Sequence, residues 1–123
     1  MITIQKSIFL ASVLAVGLAA NAWADPNTPS AQVHHHQMMA KQALLNHDLK
    51  AASTEILQGA EILKAEAVKA TGETQKGLQD SGAAIEKLAK QVETGAMTAP
   101  AKVDIDFARA YKYLSAKRAK SEK

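Results

Sequence analysis

Residues 49–70, LKAASTEILQGAEILKAEAVKA, decide the fold that we expect for this chain. Apolar side chains recur there at steps of three and four residues, a spacing that places them on one side of an α-helix. Asp48 precedes the segment as a good N-cap, and Thr71-Gly72 follows it as a stop. The sequence therefore predicts a long amphipathic helix that packs against other helices. Its apolar stripe consists of Leu49, Ala52, Ile56, Leu57, Ala60, Leu63, Ala67 and Val68.

The same spacing predicts a helix before this segment, from about Ala31 to Leu45. The joint Asn46-His47-Asp48 separates the two helices and is short enough to force them to lie antiparallel. Asn46 tolerates the left-handed backbone that ends a helix. The inward side of this first helix is expected to hold Val33, Met39 or Ala40, Ala43 and Leu44.

Two more helices are predicted downstream. The third runs over residues 73–94, although Gly77 and Gly82 weaken its early part and favour a start nearer Asp80 as an alternative. Gly95 is placed just past its end. The fourth runs over residues 103–120. The expected inward residues are Leu78, Ser81 or Ala84, Ile85, Leu88 and Val92 in the third helix, and Val103, Phe107, Ala110, Tyr111 and Leu114 in the fourth.

No stretch of the sequence alternates with a period of two, so a β-sheet is not expected. Four amphipathic helices with mostly short joints predict an all-α fold, a small up-down-up-down four-helix bundle made of two helical hairpins. Gly59 lies inside the second helix, where glycine costs about 1 kcal/mol relative to alanine. We expect a neighbouring backbone to approach closely there.

The first 24 residues have the three parts of a secretory signal peptide. Lys6 supplies the positive start, residues 8–20 (IFLASVLAVGLAA) form an apolar run, and the small residues Ala22 and Ala24 fit cleavage after Ala24. A membrane anchor is the alternative, but a spanning helix needs about 20 apolar residues and this run is shorter. The sequence thus predicts export to the periplasm. The expected segments are a signal peptide over 1–24, a flexible leader over 25–32 and a helical bundle domain over 33–123.

Composition limits what the exported chain can do. Removing 24 of the 123 residues leaves 99, and the loss of Lys6 lowers the formal charge from +3 to +2. This weak positive charge and export both argue against nucleic acid as a partner. No later segment is apolar enough to span a bilayer. The sequence has no cysteine, so packing alone must stabilise a thin, alanine-rich core, which leaves completion of that core by a homodimer open.

Residues 33–39, VHHHQMM, form the one cluster with chemical character. Imidazole and thioether groups together are a ligand set typical of copper. On a helix, His35 shares a side with Met38 and Met39, so these three predict a three-ligand site. The alternative is that the methionines pack against neighbouring helices and the histidines are only solvated. The hypothesised metal ligands are His34, His35, His36, Met38 and Met39.

The sequence does not predict an enzyme. It has no cysteine nucleophile, no Gly-rich phosphate loop, no serine-histidine-acid arrangement and no Glu-x-x-His pairing of the kind that di-iron bundles use. His47 beside Asp48 could be read as an acid-base pair. Capping by Asp48 with an exposed histidine is the interpretation that we favour, because no nucleophile accompanies the pair.

Basic residues dominate the last segment of the chain. They interleave with tyrosines, and we expect Tyr111 in the core and Tyr113 exposed among the lysines. A basic face of this kind fits an acidic protein or an envelope polyanion, and a solvated helix end is the alternative. The hypothesised partner-binding residues are Arg109, Lys112, Tyr113, Lys117 and Arg118.

Two functional hypotheses follow. The first is a non-enzymatic exported bundle that binds another macromolecule or serves an envelope-stress role through its surface. The second is a periplasmic metal-binding protein, for copper above other ions, that uses the histidine-methionine cluster. The expected architecture resembles small exported helical bundles of cell envelopes, both stress-related and metal-scavenging, but no stretch carries a family signature.

Overall fold

The computed structural model describes residues 27–121 of the chain. In this range every regular element is a helix, as the sequence predicts, and the signal peptide predicted for 1–24 lies outside it. The four helices are α1 (Pro29–Leu45), α2 (Leu49–Val68), α3 (Gly72–Glu93) and α4 (Pro100–Ser121).

Each helix packs against the next one in the chain, and α4 returns to pack against α1. Three residues join α1 to α2, three join α2 to α3, and six join α3 to α4. Such short connections make consecutive helices antiparallel. The resulting circuit of contacts is the one that a four-helix bundle makes. Within the described residues, no helix combines the length and apolar character needed to cross a membrane.

The buried core follows the predicted stripes, except that Leu57 and Val68 of α2 are exposed. Of the two alternatives in α1, Ala40 is the inward residue and Met39 is exposed. The buried side of α2 is narrower than its apolar stripe, because residues at the flank of the stripe lie beyond the reach of α1 and α3. The largest fully buried side chains are Phe107, Ile56, Leu63, Leu78, Ile85, Leu88, Val33, Val92 and Val103.

Helix α1 begins at Pro29, inside the segment 25–32 that the sequence assigns to a leader. The Thr28 side chain caps it by accepting a hydrogen bond from the Ala31 amide at 3.2 Å. Pro29 occupies the first turn, where its missing N–H has no intrahelical acceptor to satisfy. The cap and the proline therefore extend the helix two residues before the predicted start at Ala31.

Helix α3 is continuous from Gly72, so the alternative start near Asp80 is wrong. Its internal glycines lie where neighbours approach closely. The Tyr113 ring occupies the space in which a Cβ of Gly77 would sit, and Cγ of Lys64 would lie 3.1 Å from a Cβ of Gly82. Packing thus explains both glycines, and it outweighs their low helix propensity.

Two local details differ from the expectation, and two confirm it. Gly59 faces the Phe107 ring, whose Cε2 would be 3.0 Å from an added Cβ, rather than a neighbouring backbone. In the first joint the left-handed residue is His47, with φ of 60°, and not Asn46. Asp48 is the predicted N-cap and accepts from the Ala51 amide at 3.1 Å. Gly95, with φ of 81°, ends α3 as predicted.

Candidate functional site

The outer side of α1 carries three exposed side chains with metal-ligand character. Met38 and Met39 follow His35 by three and four residues, so all three lie on the side of α1 opposite the buried Val33 and Ala40. Met38 is 49 % exposed and Met39 is 44 % exposed. Neither methionine is therefore a core residue, and packing against neighbouring helices does not explain the pair.

His36 faces α2 and is half-buried. Its Nδ1 lies 2.7 Å from Oε1 of Glu55. The sequence did not predict Glu55 as a residue of this site. The antiparallel pairing of α1 and α2 could have indicated it, because His36 precedes His47 of the joint by 11 residues and Glu55 follows it by 8, a difference of less than one helical turn. The contact ties the histidine cluster to the second helix.

His34 lies on the opposite flank of α1, toward α4. It is exposed, and its ring centroid lies 6.5 Å from that of Tyr111. The three consecutive histidines thus face three directions, with His34 toward α4, His35 outward and His36 toward α2. The five predicted ligands do not form one coordination shell. Among residues 27–121, no group of three His, Asp or Glu side chains is arranged to hold a metal ion.

A shallow cleft of about 280 Å³ opens beside the second and third histidines. Ala31, Gln32, His35 and His36 line it. The His35 and His36 ring centroids are 5.4 Å apart, with the rings nearly edge to face. Side chains on a helix lean toward its N-terminus, so these imidazoles incline toward Gln32, one turn earlier, and the methionines of the following turn incline toward His35.

A polar network joins α1 to α4. The buried Gln37 donates its amide nitrogen to Oδ1 of Asp104 at 2.7 Å, and its amide oxygen accepts from the Tyr111 hydroxyl. The Lys41 ammonium donates to Oδ2 of Asp104 at 3.0 Å. The Lys41 hydrogen bond holds the pKa of Asp104 below its ordinary value, while burial, aided by the charge of Asp104, raises the pKa of Tyr111 well above its ordinary value. These groups therefore hold α1 and α4 together.

Exposed apolar side chains lie next to Lys41 and Asp104, or one turn from them, along α1 and α4. Met38 and Leu45 precede and follow Lys41 by three and four residues, and Ile105 follows Asp104 directly. The exposed side chains of Ala101 and Ala108 flank Asp104 in the same way along α4. We call Met38, Leu45, Ala101, Ile105 and Ala108 the α1–α4 patch. The sequence did not predict it, because the patch combines two helices that are distant in the chain.

The predicted basic face is present in part. Arg109 and Lys112 are exposed, and the Lys112 ammonium lies 5.8 Å from the Tyr113 ring centroid. Tyr113 is half-buried over Gly77, so the expectation of an exposed tyrosine among the lysines is wrong. Lys117 and Arg118 belong to α4, but their side chains lie outside the part that the structure describes.

Comparison of this chain with protein-family profiles, with curated proteins and with solved structures finds no match.

Proposed function

We propose that this chain is a small periplasmic, non-enzymatic helical-bundle protein that binds an acidic protein partner, in an envelope-stress role or a related one. The α1–α4 patch is the observation that carries the proposal. Exposed apolar side chains that gather on one surface mark interaction sites more often than the same residues scattered singly. Here the exposed Met38 and Leu45 lie one turn from Lys41, the exposed Ile105 lies next to Asp104, and Lys41 and Asp104 form an ion pair between the two helices.

The charge next to the patch defines the partner. Arg109 and Lys112 follow Ile105 by four and seven residues, so they continue the same side of α4 and place two cations at the rim of the patch. An apolar centre with a charged rim is the anatomy of a protein–protein interface. An envelope polyanion would use the cations but leave the apolar centre without a role.

The remaining titratable groups support binding rather than chemistry. Asp104 and Tyr111, whose pKa values are displaced, are both engaged in joining α1 to α4. Their pKa values are displaced because of the hydrogen bond and the burial that come with joining the two helices. We therefore assign the function to the surface of the bundle.

The test is capture of partners from an envelope extract with the purified chain and two variants. One variant, Met38→Glu/Ile105→Glu, introduces charge into the patch, and the other, Arg109→Glu/Lys112→Glu, reverses the rim. Lys87→Glu, on an exposed position of α3, is the matched control. We expect one acidic protein to be retained by the chain and the control and lost by both variants.

Two outcomes would contradict the proposal. If both variants retain every captured protein, the α1–α4 patch is not an interface. If only the rim variant loses binding and the captured species is a polysaccharide or lipid, the partner is a polyanion and the apolar centre has no function. Far-UV circular dichroism of each variant verifies that the bundle remains folded.

Export is tested on the chain itself. The signal peptide predicted over residues 1–24 directs the protein to the periplasm and is removed after Ala24. Mass spectrometry of the protein from its own cells should give an N-terminus at Asp25. A product that retains Met1 or stays in the inner membrane would exclude a periplasmic function.

The second candidate function is copper binding, and the exposure of both methionines favours it. Met38 and Met39 flank His35 on the outer side of α1, where the thioethers are open to a metal ion. Soft sulfur ligands with an imidazole select Cu(I). We propose His35, Met38 and Met39 as the Cu(I) ligands.

A competition titration with Cu(I) tests this second candidate. Met38→Leu/Met39→Leu keeps the size and apolar character of both side chains and removes the sulfur atoms. We expect this variant to lose saturable Cu(I) binding, and the control His47→Asn to keep it. Equal Cu(I) affinity of the chain and the leucine variant would reject copper binding at this site.

A further inference from the structure

The His36 imidazole is oriented by Glu55 in the way that a carboxylate orients a metal-binding histidine. A carboxylate that accepts from Nδ1 fixes both the tautomer and the orientation of an imidazole, and it leaves Nε2 free to bind. Histidines that ligate metals are held in this way in most metal sites. Here the Nδ1–Oε1 distance is 2.7 Å, and both side chains are about three-quarters buried, with 19 % and 25 % exposed.

A second imidazole lies beside the first. The His35 and His36 ring centroids are 5.4 Å apart and both rings line the cleft. Two imidazoles that share a tetrahedral ion at about 2.0–2.1 Å have ring centroids roughly 5 Å apart. The observed centroid separation is therefore close to the one that a shared ion requires.

A third donor faces the same cleft. Gln32 precedes His35 by three residues and His36 by four, which places it on their side of α1 one turn earlier. Its amide nitrogen donates to the Asn27 carbonyl at 3.3 Å, so this bond uses the donor end of the amide. That bond leaves the amide oxygen available as a third protein ligand.

We propose that His35, His36 and Gln32 bind a divalent cation of the zinc, nickel and copper(II) class in this cleft, with Glu55 as the positioning residue for His36. Two imidazoles and an oxygen suit these borderline ions, whereas Cu(I) prefers sulfur. The inference rests on the proposed metal-binding function of α1, but it uses a second site. The cleft opens toward Gln32, one turn before the histidines, and the methionines lie one turn after His35.

The two sites share His35 and otherwise differ in every ligand. His36 and Glu55 belong only to the divalent site, and Met38 and Met39 belong only to the Cu(I) site. Variants at these four positions therefore separate the two. His35 is common to both, so a variant there does not distinguish them.

The experiment is a calorimetric titration of the full chain, purified without a histidine tag, with Zn(II) and with Ni(II). We expect one saturable equivalent, lost in His36→Gln. Glu55→Gln retains an acceptor for the imidazole and should weaken binding about 10- to 100-fold, as loss of an orienting carboxylate does. Glu61→Gln, the same charge change at an exposed position of α2, and His34→Gln are the controls and should bind like the unaltered chain.

Histidine resonances of the unaltered chain give a readout that does not depend on the folding of a variant. Zn(II) should shift the imidazole signals of His35 and His36 and leave those of His34 and His47 in place. The site is rejected if all four histidines shift alike, or if Glu55→Gln binds Zn(II) as tightly as the chain. Loss of Cu(I) binding in Met38→Leu/Met39→Leu with Zn(II) binding unchanged in His36→Gln would reject this site and leave the copper proposal intact.

Discussion

At Gly77 the ring of Tyr113 lies directly against α3 and leaves no room for a methyl group. The residue is buried in the middle of a helix, where alanine would be favoured by about 1 kcal/mol on propensity alone. The neighbour in space, and not the helix itself, therefore determines the residue type. This contact also explains why Tyr113 is half-buried although lysines surround it in the sequence.

We expect Gly77→Ala to lower the free energy of unfolding by up to about 2 kcal/mol, because overpacking costs about 1–3 kcal/mol and helix propensity offsets about 1. Urea unfolding measures this change. In the Tyr113→Ala background the ring is absent, so the same substitution should stabilise the protein by up to about 1 kcal/mol. A stabilising effect of Gly77→Ala in the unaltered chain would show that the ring does not occupy this space.

Tyr111 is the second residue whose role is set by its partners. Its hydroxyl donates to the buried amide oxygen of Gln37, and burial raises its pKa above the ordinary value of 10.0. A phenol that holds its proton more tightly in the folded state than in the unfolded state stabilises the fold fully below its unfolded pKa. That stabilisation is lost as the pH rises through the interval between the unfolded and folded pKa values.

Tyr111→Phe should therefore lower the free energy of unfolding by about 1–2 kcal/mol at neutral pH, since Gln37 loses its donor. Above about pH 10 the stability of the unaltered chain should fall more steeply than that of the variant. Urea unfolding at a series of pH values measures both curves. Parallel curves through the alkaline range would mean that Tyr111 titrates alike in the folded and unfolded states.

At the scale of elements, the backbone conformation of the joint between α1 and α2 determines how the chain reverses direction in the first hairpin. Asn46 has φ of −89° and His47 has φ of 60°, so the left-handed position falls on the histidine. A side chain other than glycine costs about 1–2 kcal/mol in this conformation. Asp48 then caps α2, and the hairpin places His36 opposite Glu55.

His47→Gly should raise the free energy of unfolding by up to about 1 kcal/mol, because relief of the left-handed strain exceeds the entropy that glycine loses on folding. Thermal unfolding should register this as a shift of several degrees. Asn46→Gly is the matched control and should destabilise the protein, since its backbone angle is negative. If both glycine variants destabilise equally, the strain is not located at His47.

At the scale of the whole molecule, Phe107 is the largest fully buried side chain and its ring meets Gly59 of α2. One aromatic ring from α4 thus reaches across the bundle to a helix that is not its neighbour in the chain. The rest of the core is built from aliphatic side chains and alanines. We infer that this ring holds the two hairpins at their observed separation.

Phe107→Ala should lower the free energy of unfolding by about 3–5 kcal/mol, a large share of the stability of a small domain. Far-UV circular dichroism during heating measures the loss. Ile105→Ala, on the exposed side of the same helix, should change stability by less than about 0.5 kcal/mol. Similar losses for the two variants would place Ile105 in the core and remove it from the α1–α4 patch.

The number and order of the helices could be predicted because apolar spacing, caps and glycine stops are local signals. The helix ends could be predicted less closely. Thr28 and Pro29 extend α1 beyond its predicted start, and packing of neighbouring helices against α3 compensates for the low helix propensity of Gly77. The metal-ligand cluster was visible because its members are consecutive. The different directions of the three histidines could not be predicted, because they depend on which side of α1 faces α2 and which side faces α4.

The sequence alone determined that four helices follow one another between about residues 31 and 120 and that histidines and methionines gather near the start of the first. Tertiary structure alone decided that His36 meets Glu55, that Gln37 links Asp104 to Tyr111, and that Met38 and Met39 remain exposed. The physical reason is the separation along the chain over which each kind of interaction acts. Helix signals act over three or four residues, whereas the contacts that shape the candidate sites join residues 19 to 74 positions apart.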